Sequence, residues 1–109
     1  MSFPTELKEK TSLFFTADLT IDGTAVDIRA DSVSLIFKRY KWQSDEQAVL
    51  TVIADVATAG ESGRAGFILT PADMAITPNE YVWEIKWISG SAEYIPVSGT
   101  VTVTERVWD

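Results

Sequence analysis

The 109 residues include no histidine and no cysteine. Without imidazole there is no Ser-His-Asp triad, no Cys-His pair and no histidine-ligated metal. Without thiols there are no disulfides, thiolate nucleophiles or zinc-thiolate centres, a composition suited to assembly in a reducing cytoplasm. Cations are scarce as well: nine Lys and Arg stand against sixteen Asp and Glu, a formal net charge of −7. Most of such a surface repels phosphate backbones and anionic lipid, so neither nucleic acid nor membrane is expected as a partner. No apolar run approaches the eighteen or so residues of a spanning helix, and "MSFPTELKEKTSLFF" lacks a basic segment followed by a long apolar one. The chain reads as soluble and unexported. The glycines of "GESGRAG" lack the Lys-Ser or Lys-Thr and the following helix of a phosphate-binding loop.

What is present is a globular composition, 46% hydrophobic and 23% charged, in a length that suits one domain over residues 1–109. Residues 1–11 read as an N-terminal arm free to move. Strand-like segments then follow at short intervals, separated by turn residues. "TSLFFTADLT" is the first, with an Asp-Gly turn after it at Asp22 and Gly23. "AVDI" is a short extended piece. "SVSLIFKRYKW" alternates Val33, Leu35 and Phe37 against Ser32, Ser34 and Lys38, the period of a half-buried strand. "QAVLTVIADV" is dense in β-branched residues on both faces and is expected at the centre of a sheet. "ATAGESGRAG" reads as a mobile loop before the strand "GFILT". Thr70 and Pro71 fit the N-cap and first position of a single helical turn that Pro78 stops. Two long strands, about residues 80–89 and 92–106, are joined by "SGS". About seven short strands with turns between them predict an all-β fold, an antiparallel β-sandwich.

The richest segment is "NEYVWEIKWISGSAEYIPVSGTVTVTERV". In strand geometry Tyr81, Trp83, Ile85 and Trp87 share one face, while Val82, Glu84, Lys86 and Ile88 share the other. Opposite them Val97, Gly99, Val101 and Val103 form a second apolar face. The row of rings is therefore expected to be core, with Phe37, Val52 and Phe67 beside it. The alternative is a non-catalytic module that binds a carbohydrate or a host surface component through exposed tryptophans, a sugar platform, since Trp83 and Trp87 would lie roughly 13 Å apart on an extended strand.

"GFILTPADMAITPNEYVWEIKW" resembles the second half of an immunoglobulin-like domain. The resemblance makes Tyr81 the corner tyrosine, with its hydroxyl on backbone between Met74 and Thr77, and sets Trp83 where a cysteine often stands. Over nearly the whole chain, "DLTIDGTAVDI", "GRAGFILTPADMAITPNEYVWEIKW" and "IPVSGTVTVTERV" are similar to small phage structural proteins, notably the immunoglobulin-like N-terminal domain of phage baseplate upper proteins. That likeness implies an immunoglobulin-like sandwich without a disulfide and a non-enzymatic structural or assembly role in a phage or prophage tail or baseplate. It also implies location in the virion, reached through the host cytoplasm, and it brings no catalytic residue.

Of the acidic groups, Asp45, Glu46 and Glu61 sit in polar stretches where nothing raises a pKa for acid-base work. Asp18, Asp22, Asp27 and Asp31 recur at a spacing that could supply calcium oxygens but fits no EF-hand loop, and they read more simply as turn and strand-end residues. No cofactor, metal or small-molecule substrate is expected. The one local departure from acidity is "KRYKWQ", where Lys38, Arg39 and Lys41 interleave with Tyr40 and Trp42, residue types that anchor protein interfaces. These five are the candidate interface, facing other virion components or the acidic surface of another copy, so that a homo-oligomer is expected. Pro96 marks an edge or bulge in the last strand, and that edge is a second candidate contact.

Overall fold

A computed structural model describes residues 6–105. Among the described residues nine strands run in the order β1 Glu6–Lys8, β2 Leu13–Asp18, β3 Thr20–Ile21, β4 Thr24–Ala25, β5 Ser32–Lys38, β6 Leu50–Ile53, β7 Arg64–Leu69, β8 Asn79–Ser89 and β9 Ala92–Thr104. Single 3₁₀ turns at Asp45–Gln47 and Gly60–Ser62 are the helical elements of these residues. The chain is all-β, with more and shorter strands than the sequence suggests.

One sheet has the order β1-β9-β8-β5-β6, and β2 pairs with β7 in another. The five-stranded sheet curls into a half-barrel. Its edge continues toward the second sheet, because Asp55 bonds Gly66 of β7 in both directions, at 2.7 and 2.9 Å. β3 and β4 form a hairpin whose turn uses positive φ at Asp22 (52°) and Gly23 (78°), the pairing that suits the twist of a two-residue connection. Gly90, at φ 61°, serves the same end between β8 and β9.

The alternating pattern of β8 is realised as read. Tyr81, Trp83, Ile85 and Trp87 are all buried, and they close the core with Phe37, Val52, Phe67, Val101 and Val103. Trp83 lies across from Gly99, whose missing side chain leaves room for the indole: a Cβ there would stand 3.1 Å from the indole Nε1. The turn at Thr70 forms a reciprocal cap, in which the Asp73 amide donates to Thr70 Oγ1 and the Thr70 amide donates to Asp73 Oδ2.

Several expectations are corrected. β6 lies at the edge of its sheet, with Ile53 67% exposed; its β-branched residues mark a half-wet strand whose covered face holds Val52. Residues 6–8 of the expected arm are strand β1, paired parallel to β9 at Thr102–Thr104, with Leu7 buried. The sheet is thus not wholly antiparallel, and β1 covers the C-terminal part of the β9 edge. The "AVDI" strand is shorter than read, only Thr24–Ala25 being extended in a ladder. The loop "ATAGESGRAG" is built in: Gly60 is buried, its carbonyl accepts from Ile28 N–H, and the Gly63 carbonyl accepts from Leu19 N–H. Pro96 does sit at an irregularity, because the register slips between Ile85↔Val97 and Trp87↔Tyr94.

Candidate docking surface

The chain leaves β5 at Lys38 and turns back on itself within the next residues. Gln43 fixes that turn: its Oε1 accepts from the amides of Arg39 (3.0 Å) and Tyr40 (3.1 Å), and its own amide donates to the Tyr40 carbonyl. Ser44 and Gln47 then form a capping box that starts the first 3₁₀ turn. The result is a short loop with a defined shape.

This loop holds out two rings. Tyr40 and Trp42 stack with centroids 5.5 Å apart and planes 4° from parallel. Trp42, at 76% exposure, is the most exposed large apolar side chain among the described residues. Lys41 beside it is exposed. Arg39 lies inward, its guanidinium 5.5 Å from the Tyr40 ring and 5.8 Å from the Tyr81 ring, so the loop rests on the corner tyrosine through two cation-π contacts. The Arg39 Nε is buried and has no hydrogen-bond partner among the described residues. Tyr81 donates its hydroxyl to the Thr77 carbonyl, as expected. Burial pushes its phenol pKa up, against the opposing pull of Arg39.

Lys38 leaves the candidate set. It is buried, and its ammonium lies 2.8 Å from Asp45 and 2.9 Å from Glu84. Asp45 also takes a hydrogen bond from Lys86, which reaches Glu93 at 2.8 Å. A chain of alternating charges therefore runs over the outer face of β5, β8 and β9. Burial is the largest single influence on Lys38 and opposes its charge, yet the hydrogen bonds to Asp45 and Glu84 carry its pKa upward. The bonds from Lys38 and Lys86 hold the Asp45 carboxyl below the usual range, and Lys86 is raised by Asp45 and Glu93. Glu84 and Lys86 on the outward face of β8 are thus half-buried, and the charges neutralise one another. The signal available was Lys38 and Glu84 on outward positions of strands that pair.

The sugar platform of Trp83 and Trp87 is overturned, because those rings are 6% and 2% exposed. The four spaced aspartates do not converge. Asp18 bonds Arg64 at 2.8 Å, Asp27 bonds Arg29, Asp31 accepts from the Trp87 indole at 2.8 Å, and Asp22 forms its turn. No group of metal-ligating side chains is found among the described residues. No helix among them is long and apolar enough to cross a membrane.

No protein-family model matches the chain, and no curated protein does. The fold is similar to part of a solved structure, a "putative glycoside hydrolase" from Bacteroides vulgatus, with a TM-score of 0.57 at 12% identity. The match covers 95% of this chain and 17% of that one, so this chain spans about a sixth of that protein's length. At that identity the likeness speaks for the fold alone.

Proposed function

We propose that this chain is a non-catalytic immunoglobulin-like sandwich that serves as a structural or assembly protein of a phage or prophage virion, of the tail or baseplate kind. It acts by contact with other proteins, copies of itself included, and passes from the host cytoplasm into the particle.

The strand order supports the immunoglobulin-like part. β5, β8 and β9 adjoin in the order of strands C, F and G, β6 flanks them where C′ lies in variable-type domains, and β2 with β7 answers to B and E. Tyr81, at the start of β8 with its hydroxyl on backbone four residues upstream, has the place and bond of the tyrosine corner. Assignment to a virion rests on the resemblance of "DLTIDGTAVDI" and "IPVSGTVTVTERV" to phage structural domains.

The observation that carries the contact role is the Arg39–Trp42 loop. A loop pinned by Gln43 that presents a stacked Tyr and Trp at 49% and 76% exposure is costly to leave in water. Rigid aromatic anchors with an adjacent arginine are the composition of interface hot spots. The test is to purify particles from a host carrying a tagged copy of the gene and to quantify the chain by mass spectrometry. The reading expects a fixed number of copies per particle and fewer finished particles with Trp42→Ala. A chain that stays in the host fraction and is absent from particles overturns it.

A further inference from the structure

The second open surface lies at the other end of the strands. Lys38 pairs with Val82, next to the loop, while Val33 pairs with Trp87. Those two positions are five residues apart on β8, about 17 Å at strand rise. Beside Trp87 the chain opens a cleft of about 710 Å³ between the end of β2 with β3 and the start of β9. Ile21, Tyr94, Ile95 and Val97 line it at 42–46% exposure, and the Tyr94 ring leans on Trp87 at 5.0 Å.

Two properties of the cleft define its occupant. The first is the edge of β9, which has no neighbouring strand before Thr102 among the described residues. Pro96 and the register slip beside it break the row of backbone donors, devices that oppose the addition of a further strand. The site therefore suits inserted side chains better than a ladder. The second is charge. Asp18 and Glu93 line the cleft, with Asp22 and Asp31 next to its lining residues, against Arg64 and Lys86, which are ion-paired to Asp18 and Glu93. The two lining carboxylates are each ion-paired, and Asp22, next in the chain to Ile21, and Asp31, which accepts from the Trp87 indole, leave an excess of negative charge at the margin. The fitting guest is aromatic and basic, and Tyr40, Lys41 and Trp42 with Arg39 behind them meet that description.

We infer that the cleft receives the Arg39–Trp42 loop of a second copy. The inference deepens the contact role proposed above and rests on it. Because guest and host surfaces lie at opposite ends of one chain, the contact is heterologous: each copy gives a loop and takes a loop. Repetition closes into a ring or extends as a filament according to the rotation per step.

Two variants isolate the two surfaces. Lys41→Glu with Trp42→Ala removes the loop's charge and anchor but leaves the cleft. Ile95→Lys puts a cation into the cleft but leaves the loop. Both changes fall on exposed positions, and unaltered thermal midpoints and far-ultraviolet circular dichroism establish that each variant is folded. Light scattering is expected to show wild type growing in mass with concentration and each variant alone remaining near the 12.0 kDa chain mass. An equimolar mixture is expected to stop at twice that mass, since it offers one intact loop and one intact cleft per pair. Wild type that associates while the mixture stays monomeric overturns the inference, as does a variant that still self-associates. Wild type that is monomeric at every concentration overturns it too, and leaves the virion role to the particle experiment.

Discussion

Replacing Trp83 by alanine attacks the core where its shape is most specific. The indole is 6% exposed and packs over Gly99 on the adjacent strand, with no side chain there able to move into the space it would leave. An aromatic of this kind buries roughly 150–250 Å², which at about 25 cal/mol per Å² gives about 4–6 kcal/mol as an upper bound. Measured Trp→Ala losses in cores, about 3–5 kcal/mol, agree. Small domains hold about 5–15 kcal/mol in all, so a loss of about 3–5 kcal/mol removes roughly a fifth of the stability or more. At about 4–8 °C per kcal/mol the thermal midpoint should fall by at least 12 °C or so, read by circular dichroism and by urea titration with an unchanged slope. The converse change, Gly99→Ala, brings a methyl to within 3.1 Å of the indole and should cost less, about 1–3 kcal/mol, because the ring can shift. A midpoint that moves by under about 3 °C in Trp83→Ala refutes the reasoning.

Tyr81→Phe removes the bond to the Thr77 carbonyl and leaves that acceptor in a half-buried site; a loss of about 1–2 kcal/mol in urea unfolding is expected, with association unaltered. Gly63→Ala forces a side chain into positive φ (81°) and within 2.7 Å of the Leu19 carbonyl oxygen, so the variant should accumulate as aggregate or show a midpoint lowered by more than about 2 kcal/mol equivalent. Asp45 titrates lower in the folded state than in the unfolded chain, so its contribution is present above the unfolded value of about 3.9 and is lost as pH falls through the lower folded one. Asp45→Asn should therefore flatten the decline in stability below about pH 4, by under about 1 kcal/mol given its partial exposure. Lys38 is shifted upward, so its contribution is present below about pH 10.4 and lost as pH rises through its higher folded value, and Lys38→Met should flatten the alkaline decline.

What the sequence disclosed is what period and turn chemistry encode locally. β8 could be read in full because Tyr81, Trp83, Ile85 and Trp87 alternate with charges. The Asp22-Gly23 and Gly90 turns could be read because positive φ needs those residues. β1 could not, since Glu6–Lys8 has no strand pattern of its own and is extended because β9 offers it an edge. β6 misled because β-branched residues suit a wet edge as well as a covered centre; position in a sheet depends on which strands flank it. Lys38 is the instructive case at the site. Beside Arg39 and Lys41 it looks like one more surface cation, and only Glu84, forty-six positions away, and the turn at Asp45 take it out of solvent. The cleft was not legible either, because its two walls, near Ile21 and Ile95, meet only through the fold.

The central claim is that contact runs through Trp42 while Trp83 and Trp87 remain inside. Fluorine NMR of chain labelled with 5-fluorotryptophan separates these rings, each resonance being assigned by its Trp→Phe variant. The account predicts that Trp42 alone of the three shows a full solvent-isotope shift in dilute protein, and that it moves and broadens as protein concentration rises. Trp83 and Trp87 should be protected and unchanged throughout. Solvent-exposed resonances for Trp83 and Trp87, or a Trp42 resonance that stays fixed while the protein associates, would contradict it.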